Sequence, residues 1–345
     1  MLTRPKSFNI LSMDAGGIAG LVTARLLQRI VDRMPDFLND VYLIAGTSAG
    51  AVNALILAQH DDPVQGLEAC VRLWQEPKLL SNTPWGTLLA TWGLRPFISF
   101  DNYRAILARY IDPALTLGDL KHHVLITSFN LLGSHRYQGD WHPDIINSWR
   151  EAYRSFSALD AALRASAAPA LQAIYQGHID GGIFNASPSM SALAETALQL
   201  RETQADGTVL LLSVGCGMEQ KQVTGLRQQQ TPWGYLQWLV PSPLNAFTLL
   251  GTLLLNAQEE IANDNLEQFS QRWPQLAYWR LEPRLRCSAL AYNIASLSPV
   301  LRRVVIDQLE AVIQTRQTQT EIDKTIDWLY QKGWSGQASE TTENA

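Results

Sequence analysis

Residues 41–58 read VYLIAGTSAGAVNALILA and contain the pattern that decides the fold. The apolar run Val41–Ala45 predicts a buried strand, and the small and aliphatic residues after Gly50 predict a largely buried helix. Between them stands Gly46-Thr47-Ser48-Ala49-Gly50, a Gly-x-Ser-x-Gly pattern. Such a pattern forms a tight turn that exposes its serine hydroxyl, because a side chain at either flanking glycine would collide with backbone. The stretch predicts an α/β protein with Ser48 as a candidate nucleophile; a tight turn without chemistry is the alternative.

A second glycine-containing turn lies at Asp14-Ala15-Gly16-Gly17-Ile18-Ala19-Gly20. It follows a predicted strand, residues 8–13, and precedes apolar residues at helical spacing. Adjacent glycines at a helix N-terminus leave backbone N–H groups open to an anion, so Gly16 and Gly17 are a candidate oxyanion hole. A dinucleotide-binding turn is the alternative. The pattern does not favour it, because Ala15 stands where that fingerprint has glycine.

Asp180-Gly181-Gly182 is the third element of interest, because a serine nucleophile needs a base. An Asp-Gly pair by itself usually marks a turn. The chain has six histidines, and none follows His178. A late histidine in the order of the α/β-hydrolases would therefore have to be His178 itself. The residues alone leave open whether Asp180 or His178 acts as the base.

Strand and helix signals alternate along the chain. Further strands are predicted at residues 124–129, 209–213 and 278–281, and helices at residues 101–110, 155–165, 189–200 and 300–315. This alternation predicts a three-layer α/β/α sandwich with a mainly parallel central sheet. No internal repeat or linker divides the chain, so we expect a single domain over residues 1–330. A polar, flexible tail over residues 331–345 is expected to follow.

Composition argues against several classes of function. The 345 residues carry a formal net charge of −5 without a concentrated basic stretch, which argues against a nucleic-acid partner. The three cysteines are far apart and form neither a metal-ligand spacing nor a disulfide framework. Residues 1–10 contain no apolar segment long enough for a signal peptide. A cytoplasmic location is predicted, and export without a cleaved signal is left open.

Residues 232–258 are the only stretch that invites a membrane-span interpretation. Pro241 and Pro243 interrupt it, and the remaining apolar run covers residues 247–255. A span needs about 20 continuous apolar residues. We therefore predict no transmembrane segment.

The three motifs, in this order, resemble those of the patatin-like phospholipases, a family that uses a Ser–Asp dyad without histidine. The family's glycine-rich loop corresponds to Asp14–Gly20, its Gly-x-Ser-x-Gly elbow to Gly46–Gly50 and its Asp-Gly-Gly/Ala motif to Asp180–Gly182. Three other stretches are similar to segments of the family: residues 162–170, 212–217 and 278–283. The resemblance covers most of the chain, from residue 7 to residue 315.

The resemblance implies a lipid acyl hydrolase acting on esters of phospholipids, lysophospholipids or glycerolipids. Ser48 would be the nucleophile and Asp180 its base, and the N–H groups of Gly16, Gly17 and Ala49 would bind the oxyanion. The reaction would pass through an acyl-serine intermediate and use no metal or cofactor. Burial would raise the pKa of Asp180 and make it a better base. A histidine-triad esterase of the α/β-hydrolase type and a weakly active or non-catalytic lipid-binding relative remain as alternatives.

The glycine loop departs from the family pattern Asp-Gly-Gly-Gly-x-Arg/Lys-Gly at two positions. Ala15 replaces the first glycine, and Ala19 replaces the cation. If position 15 needs a positive φ, alanine there costs on the order of 1 kcal/mol and tilts an oxyanion donor. The missing cation predicts either a less anionic ester as substrate or a charge from elsewhere, with Arg164 and Arg95 as candidates.

A lipid substrate also suggests a role for two tryptophan-containing stretches. Residues 74–100, which include Trp85 and Trp92, would cap the acyl chain, and residues 233–255 would form an access wall. Core packing is the alternative for these aromatic side chains. The expected partners are a lipid or fatty-acyl ester and, transiently, a membrane surface. The sequence does not indicate an oligomeric state.

Overall fold

A computed structural model of the protein describes residues 7–133, 139–203, 207–219, 234, 235, 238, 249–285 and 299–335. A seven-stranded sheet lies at its centre. The strands of this sheet are β1 (Ser7–Met13), β2 (Val41–Thr47), β3 (His123–Asn130), β4 (His142–Asn147), β5 (His178–Asp180), β6 (Thr208–Val214) and β8 (Leu276–Leu281). A separate two-stranded ribbon pairs β7 (Met218–Glu219) with β9 (Arg284–Leu285).

The sheet is mainly parallel. Its strand order is β4-β3-β2-β1-β6-β8, and β5 pairs with β3 beside this path. β1, β2, β3, β6 and β8 run parallel to one another, whereas β4 and β5 run antiparallel to β3. The carboxyl ends of the parallel strands therefore meet at one edge of the sheet, where α/β proteins usually place their functional groups.

Helices pack on both faces of this sheet. Those before residue 203 are α1 (Gly20–Val31), α2 (Ala49–Gln59), α3 (Pro63–Gln75), α4 (Pro84–Thr91), α5 (Phe100–Leu107), α6 (Glu151–Arg154), α7 (Ala158–Ala165) and α8 (Ser189–Glu202). Later helices span Leu249–Arg272, Pro299–Ile313 and Arg316–Lys332. Short 3₁₀ turns lie at Gly17–Ala19, Leu117–Asp119 and Gly181–Ile183.

The parallel strands of the sheet contribute to two cores, because successive side chains point to opposite faces of a sheet. In β1, Leu11 and Met13 join the larger core with residues of α1, α2, α3 and α7. Ile10 joins the smaller core, together with Leu193 of α8 and Leu266 of the helix Leu249–Arg272. The structure is thus a three-layer α/β/α sandwich, and the predicted fold class is confirmed.

Two strands lie end to end along the same edge of β3. β2 ends where Thr47 pairs with Thr127, and the pairing of β5 ends at the next position of β3, where Asp180 lies opposite Ser128. The opposite edge of β3 is occupied by β4 over residues 125–130. Because β5 runs antiparallel, its carboxyl end points toward that of β2. The residues that follow Thr47 therefore meet Asp180.

The predicted strands agree with β1, β2, β3, β6 and β8, and the predicted helices with α1, α2, α5, α7, α8 and Pro299–Ile313. The sequence pattern does not predict β4 or β5. β4 contains Pro143 and two neighbouring polar residues, and β5 has only three residues, so neither shows the alternation typical of strands. Residues 331 and 332 of the expected tail belong to the helix that ends at Lys332, and residues 336–345 lie outside the described residues.

In the parts of the chain that the structure describes, no helix has both the length and the apolar character needed to cross a bilayer. The stretch 232–258 is described only in part, since residues 239–248 lie outside the described ranges. Its last residues begin the helix Leu249–Arg272, which continues into an acidic and polar sequence.

Candidate active site

Ser48 occupies a strained turn between β2 and α2. Its φ is 54° and its ψ is −117°, a conformation that costs a non-glycine residue about 1–3 kcal/mol and persists only where its surroundings enforce it. A Cβ at Gly46 would lie 2.3 Å from the carbonyl group of Gly50, and one at Gly50 would lie 2.2 Å from the carbonyl oxygen of Met13. Only glycine fits at these two positions. The strand, tight turn and helix that the sequence predicts around Ser48 are all present.

Asp180 is buried at the carboxyl end of β5, and its carboxylate has two polar neighbours. The N–H of Gly182 donates to Oδ1 over 2.8 Å, and the hydroxyl of Ser48 lies near enough to the carboxylate to lower its pKa. Burial raises the pKa of Asp180 to about 6, and the Ser48 hydroxyl and the Gly182 N–H limit that rise because they favour the charged form. Such a carboxylate is ionised at neutral pH and is more basic than an ordinary aspartate.

The two glycines after Asp180 are packed differently. A Cβ at Gly181 would lie 2.2 Å from Oγ1 of Thr127 and 2.6 Å from its backbone carbonyl carbon. At Gly182 the nearest atom would be 3.2 Å away, and the Cβ of Ala15 would be 3.7 Å away. Position 181 therefore requires glycine, whereas a methyl group at position 182 would need only a small shift of the Asp180 carboxylate. The closeness of Ala15 to Gly182 shows that the chain after Asp180 packs against the glycine loop Asp14–Gly20.

Gly16 and Gly17 form the accessible part of that loop. The backbone of Gly16 is extended, and Gly17 has a φ of 54°. Gly16 is half-buried and Gly17 is exposed. The described residues provide no hydrogen-bond acceptor for the N–H of either glycine. The N–H of Ala49 also lacks an intrahelical partner, because Ala49 is the first residue of α2.

The two departures of the loop have structural explanations. Ala15 does not have a positive φ, and its N–H donates to the carbonyl oxygen of Ala186 over 2.9 Å. Alanine at this position is therefore unstrained, and the expected penalty does not apply. Ala19 is 3% exposed and belongs to the larger core, so an apolar residue suits this position.

Arg280 supplies a positive charge at the base of the loop. Its Nη1 lies 2.5 Å from Oδ2 of Asp14 and donates to Oγ of Ser213 over 2.7 Å, while Nη2 donates to Glu282. Burial raises the pKa of Asp14 and that of Glu282, and the charge of Arg280 opposes both rises. This buried cluster ties the first residue of the loop to β6 and β8.

Neither arginine named from the sequence holds this position. Nε of Arg164 donates to Oε1 of Gln176 over 3.0 Å, and its guanidinium lies 4.5 Å from the ring centre of Phe156. Arg95 is exposed beyond α4. The overlooked signal was the presence of Arg280 within an otherwise apolar strand, since a buried charge needs a partner of opposite sign.

His178 is engaged away from Ser48. Its Nε2 lies 3.3 Å from Oδ2 of Asp144, and its Nδ1 lies 2.9 Å from the carbonyl oxygen of Gln176. The hydroxyl of Tyr153 donates to the same aspartate. Both ring nitrogens of His178 are thus occupied, and this geometry does not favour a histidine triad.

The first tryptophan-containing stretch does not form a simple cap. Trp74 is buried in the larger core, and its Nε1 donates to Oδ1 of Asn53 over 2.7 Å. The core-packing alternative is therefore correct for Trp74. Trp85 and Trp92, in contrast, project into solvent, so their side chains are not enclosed around an internal tunnel.

The described part of the second stretch lies beside the site. Leu255 would be 3.6 Å from a Cβ at Gly182. Three residues further along the same helix, Gln258 accepts from the N–H of Ala186 over 3.1 Å and donates to the carbonyl oxygen of Ile183 over 3.2 Å. The start of this helix is thereby attached to the chain that follows Asp180, and the access wall predicted for residues 233–255 stays a prediction.

The site combines a hydroxyl, a buried carboxylate and N–H groups at two helix starts. These are the components of acyl transfer: a nucleophile, a base and donors for a developing oxyanion. Within the described ranges, no group of three or more His, Cys, Asp or Glu side chains is arranged to hold a metal ion.

Comparison with known proteins gives a family match and several similar relatives. The family described as patatin-like phospholipase matches residues 11–193. Protein teg of Priestia megaterium is 25% identical over 231 residues, which cover 66% of this chain and 68% of teg. A cGAMP-activated phospholipase of Pseudomonas aeruginosa is 26% identical over 221 residues, which cover 62% of this chain and 64% of that protein.

Solved structures were also matched at low similarity. VipD of Legionella pneumophila aligns with 98% of this chain and 78% of its own, at 12% identity and a TM-score of 0.38. The type III effector ExoU aligns with 91% of this chain and 55% of its own, at 14% identity and a TM-score of 0.33. Both scores are too low to add to the fold described above.

Proposed function

This chain belongs to the patatin-like phospholipase family, and from that membership and the geometry of the site we propose that it is a lipid acyl hydrolase. Its substrates would be acyl esters of phospholipids, lysophospholipids or glycerolipids. The observation that carries the proposal is the position of the Ser48 hydroxyl beside the buried carboxylate of Asp180, whose pKa it lowers. A hydroxyl and its base are thereby side by side before substrate binds.

In the first half of the proposed reaction, Asp180 takes the proton of Ser48 as Oγ attacks the ester carbonyl carbon. The carbonyl oxygen becomes an oxyanion, which the N–H groups of Gly16, Gly17 and Ala49 stabilise. When the C–O bond to the alcohol breaks, Asp180 returns its proton to the leaving alkoxide. The products are a free alcohol, such as a lysolipid, and acyl-Ser48.

In the second half, water replaces the alcohol. Asp180 accepts a proton from the water as its oxygen attacks the acyl carbon, and the same N–H groups stabilise the second oxyanion. Collapse breaks the bond to Oγ, and Ser48 recovers a proton from Asp180. A fatty acid leaves and the site is restored.

A fluorophosphonate should label Ser48, because an activated serine attacks phosphorus as it attacks an acyl carbon. Labelling should disappear in Ser48→Ala and fall strongly in Asp180→Asn, and mass spectrometry of the labelled peptide would identify the site. His178→Gln is the matched control, since it keeps a polar side chain facing Asp144, and it should still be labelled. If the unchanged protein bound lipid without being labelled, a non-catalytic lipid-binding role would replace the proposal.

The rate of ester hydrolysis should rise with pH through about 6, because only ionised Asp180 accepts the serine proton and its pKa is about 6. Below that pH, kcat/KM for a soluble ester should fall about tenfold per pH unit, and above it the rate should reach a plateau. Circular dichroism over the same range would exclude unfolding as the cause. A profile centred near pH 4 would indicate an ordinary carboxylate or another base.

A further inference from the structure

Helix α4 presents an apolar face to solvent. Trp85, Leu88 and Trp92 recur at spacings of three and four residues and therefore lie on one side of the helix; they are 74%, 47% and 75% exposed. Leu94, just beyond the turn at Gly93, is also 71% exposed. We call these four side chains the α4 surface. Single exposed apolar residues are common, but neighbouring large ones indicate an interaction site.

The opposite side of α4 is fixed to the protein. Gly86 and Ala90 are buried, and the N–H of Gly86 donates to Oγ1 of Thr83 over 3.0 Å at the start of the helix. The apolar residues that face solvent are therefore held in place on a formed and anchored helix.

The charge around the α4 surface matches a phospholipid headgroup layer. Residues 79–100 contain no aspartate or glutamate, and their only charged residue is Arg95, which is exposed. Tryptophan side chains favour the interface between headgroups and acyl chains. A guanidinium at the same level can form two parallel hydrogen bonds to a phosphate.

Backbone hydrogen bonds connect the chain after α4 to the Ser48–Asp180 end of the sheet. The N–H groups of Phe97 and Ile98 donate to the carbonyl oxygens of Ala170 and Leu171, over 3.2 and 2.9 Å. Ala167, three residues before Ala170 in the same segment, accepts the N–H of Asp180 at its carbonyl oxygen. The α4 surface is therefore joined to the segment that holds Asp180.

We propose that the α4 surface docks this protein onto a phospholipid bilayer. Trp85 and Trp92 enter the headgroup region, and Arg95 contacts lipid phosphate. The consequence for the active site rests on the proposed function, because docking would present membrane lipids to Ser48. Docking itself requires no turnover. Binding depends mainly on the apolar side chains, so salt weakens it only modestly.

Sedimentation with vesicles of phosphatidylcholine and phosphatidylglycerol tests this proposal. The full chain carrying Ser48→Ala is used so that the lipids stay intact. Adding Trp85→Ala and Trp92→Ala should lower the partition coefficient at least about tenfold, given the apolar area that two indole rings bury. Trp85→Phe with Trp92→Phe should retain most of the binding. Trp273→Ala is the matched control, since Trp273 is 47% exposed but precedes β8, at the opposite end of the sheet.

Two results would overturn the docking proposal. One is equal vesicle binding by the double alanine variant and its parent. The other is a double alanine variant that binds vesicles normally but no longer self-associates in the absence of lipid, as measured by light scattering. That result would assign the α4 surface to contacts between copies of the chain.

Failure of the proposed function would be visible separately. With Ser48 intact, the double alanine variant should hydrolyse a soluble short-chain ester at the normal rate, while its rate on vesicles falls in proportion to binding. Vesicle binding through the α4 surface without hydrolysis of any acyl ester would preserve docking and reject the hydrolase.

Discussion

Asp180→Asn is expected to lower kcat for a soluble acyl ester by about 10²–10⁴-fold and to leave KM nearly unchanged. Asparagine cannot take the proton of Ser48. Its amide oxygen can still accept the N–H of Gly182, which donates to Oδ1 over 2.8 Å, so the local structure should persist. Steady-state kinetics at pH 8, with thermal unfolding to confirm the fold, would measure the effect.

Combining Asp180→Asn with Ser48→Ala sharpens this test. Ser48→Ala alone should remove covalent catalysis and cost at least as much as Asp180→Asn. The double variant should be no slower than Ser48→Ala, because a base without its nucleophile has nothing to activate. If the two losses multiplied, or if His178→Gln were as damaging as Asp180→Asn, the dyad would be the wrong assignment.

Arg280→Met is expected to lower the free energy of unfolding by about 3–5 kcal/mol, the usual cost of removing one partner of a buried ion pair. The substitution leaves Asp14 and Glu282 buried without their cation. Arg33→Met is the matched control, because Arg33 pairs with Asp323 over 2.6 Å where both side chains are about half exposed. That exposed pair should contribute less than about 1 kcal/mol. Denaturant unfolding of both variants gives the comparison.

The penalty of Arg280→Met should grow with pH. Burial already raises the pKa of Asp14 above its usual 3.8 despite Arg280, and without the guanidinium that pKa rises further. A carboxyl group whose pKa is higher in the folded than in the unfolded state loses stability as pH rises above the unfolded value. The variant should therefore be closer to the unchanged protein at pH 5 than at pH 8.

Asp14→Asn should restore part of the stability of Arg280→Met at pH 8, because it removes a buried charge that has lost its partner. If the double variant were no more stable than Arg280→Met, packing of the arginine stem, and not the ion pair, would account for the contribution of Arg280 to the free energy of unfolding. Equal losses in Arg280→Met and Arg33→Met would reject the buried-pair argument altogether.

The sequence predicted the strands that carry the fold, because their signals are local. β1, β2, β3, β6 and β8 are mostly apolar stretches of six to eight residues bounded by turns. The turns at Gly16-Gly17 and Gly46–Gly50 were equally visible, since close backbone approaches require glycine and leave a pattern in the sequence. That these two turns meet Asp180 in the folded protein was expected only from the resemblance to the patatin-like phospholipases, in which the three motifs occur in the same order.

Features that depend on distant contacts were not visible in the sequence. β5 has three residues and forms a strand only because it pairs with the edge of β3. Arg280 reaches Asp14 through the pairing of β8 with β6 and of β6 with β1, which no local pattern encodes. Trp74 is buried and Trp85 is exposed because they lie on helix faces that do and do not meet the core. Both residues lie in similar apolar surroundings along the chain, so the sequence does not distinguish them.

The end-to-end arrangement of β2 and β5 along β3 has a consequence for insertions and deletions. The separation of Ser48 and Asp180 is fixed by where two strands stop on a third, at Thr127 and Ser128. Surface loops between the two motifs can lengthen or shorten without altering it. A shift of β5 by one residue would instead move Asp180 by about 3.3 Å and turn its side chain to the other face of the sheet. The number of residues between the two motifs is therefore free to vary among proteins with this arrangement, whereas the register on β3 is not.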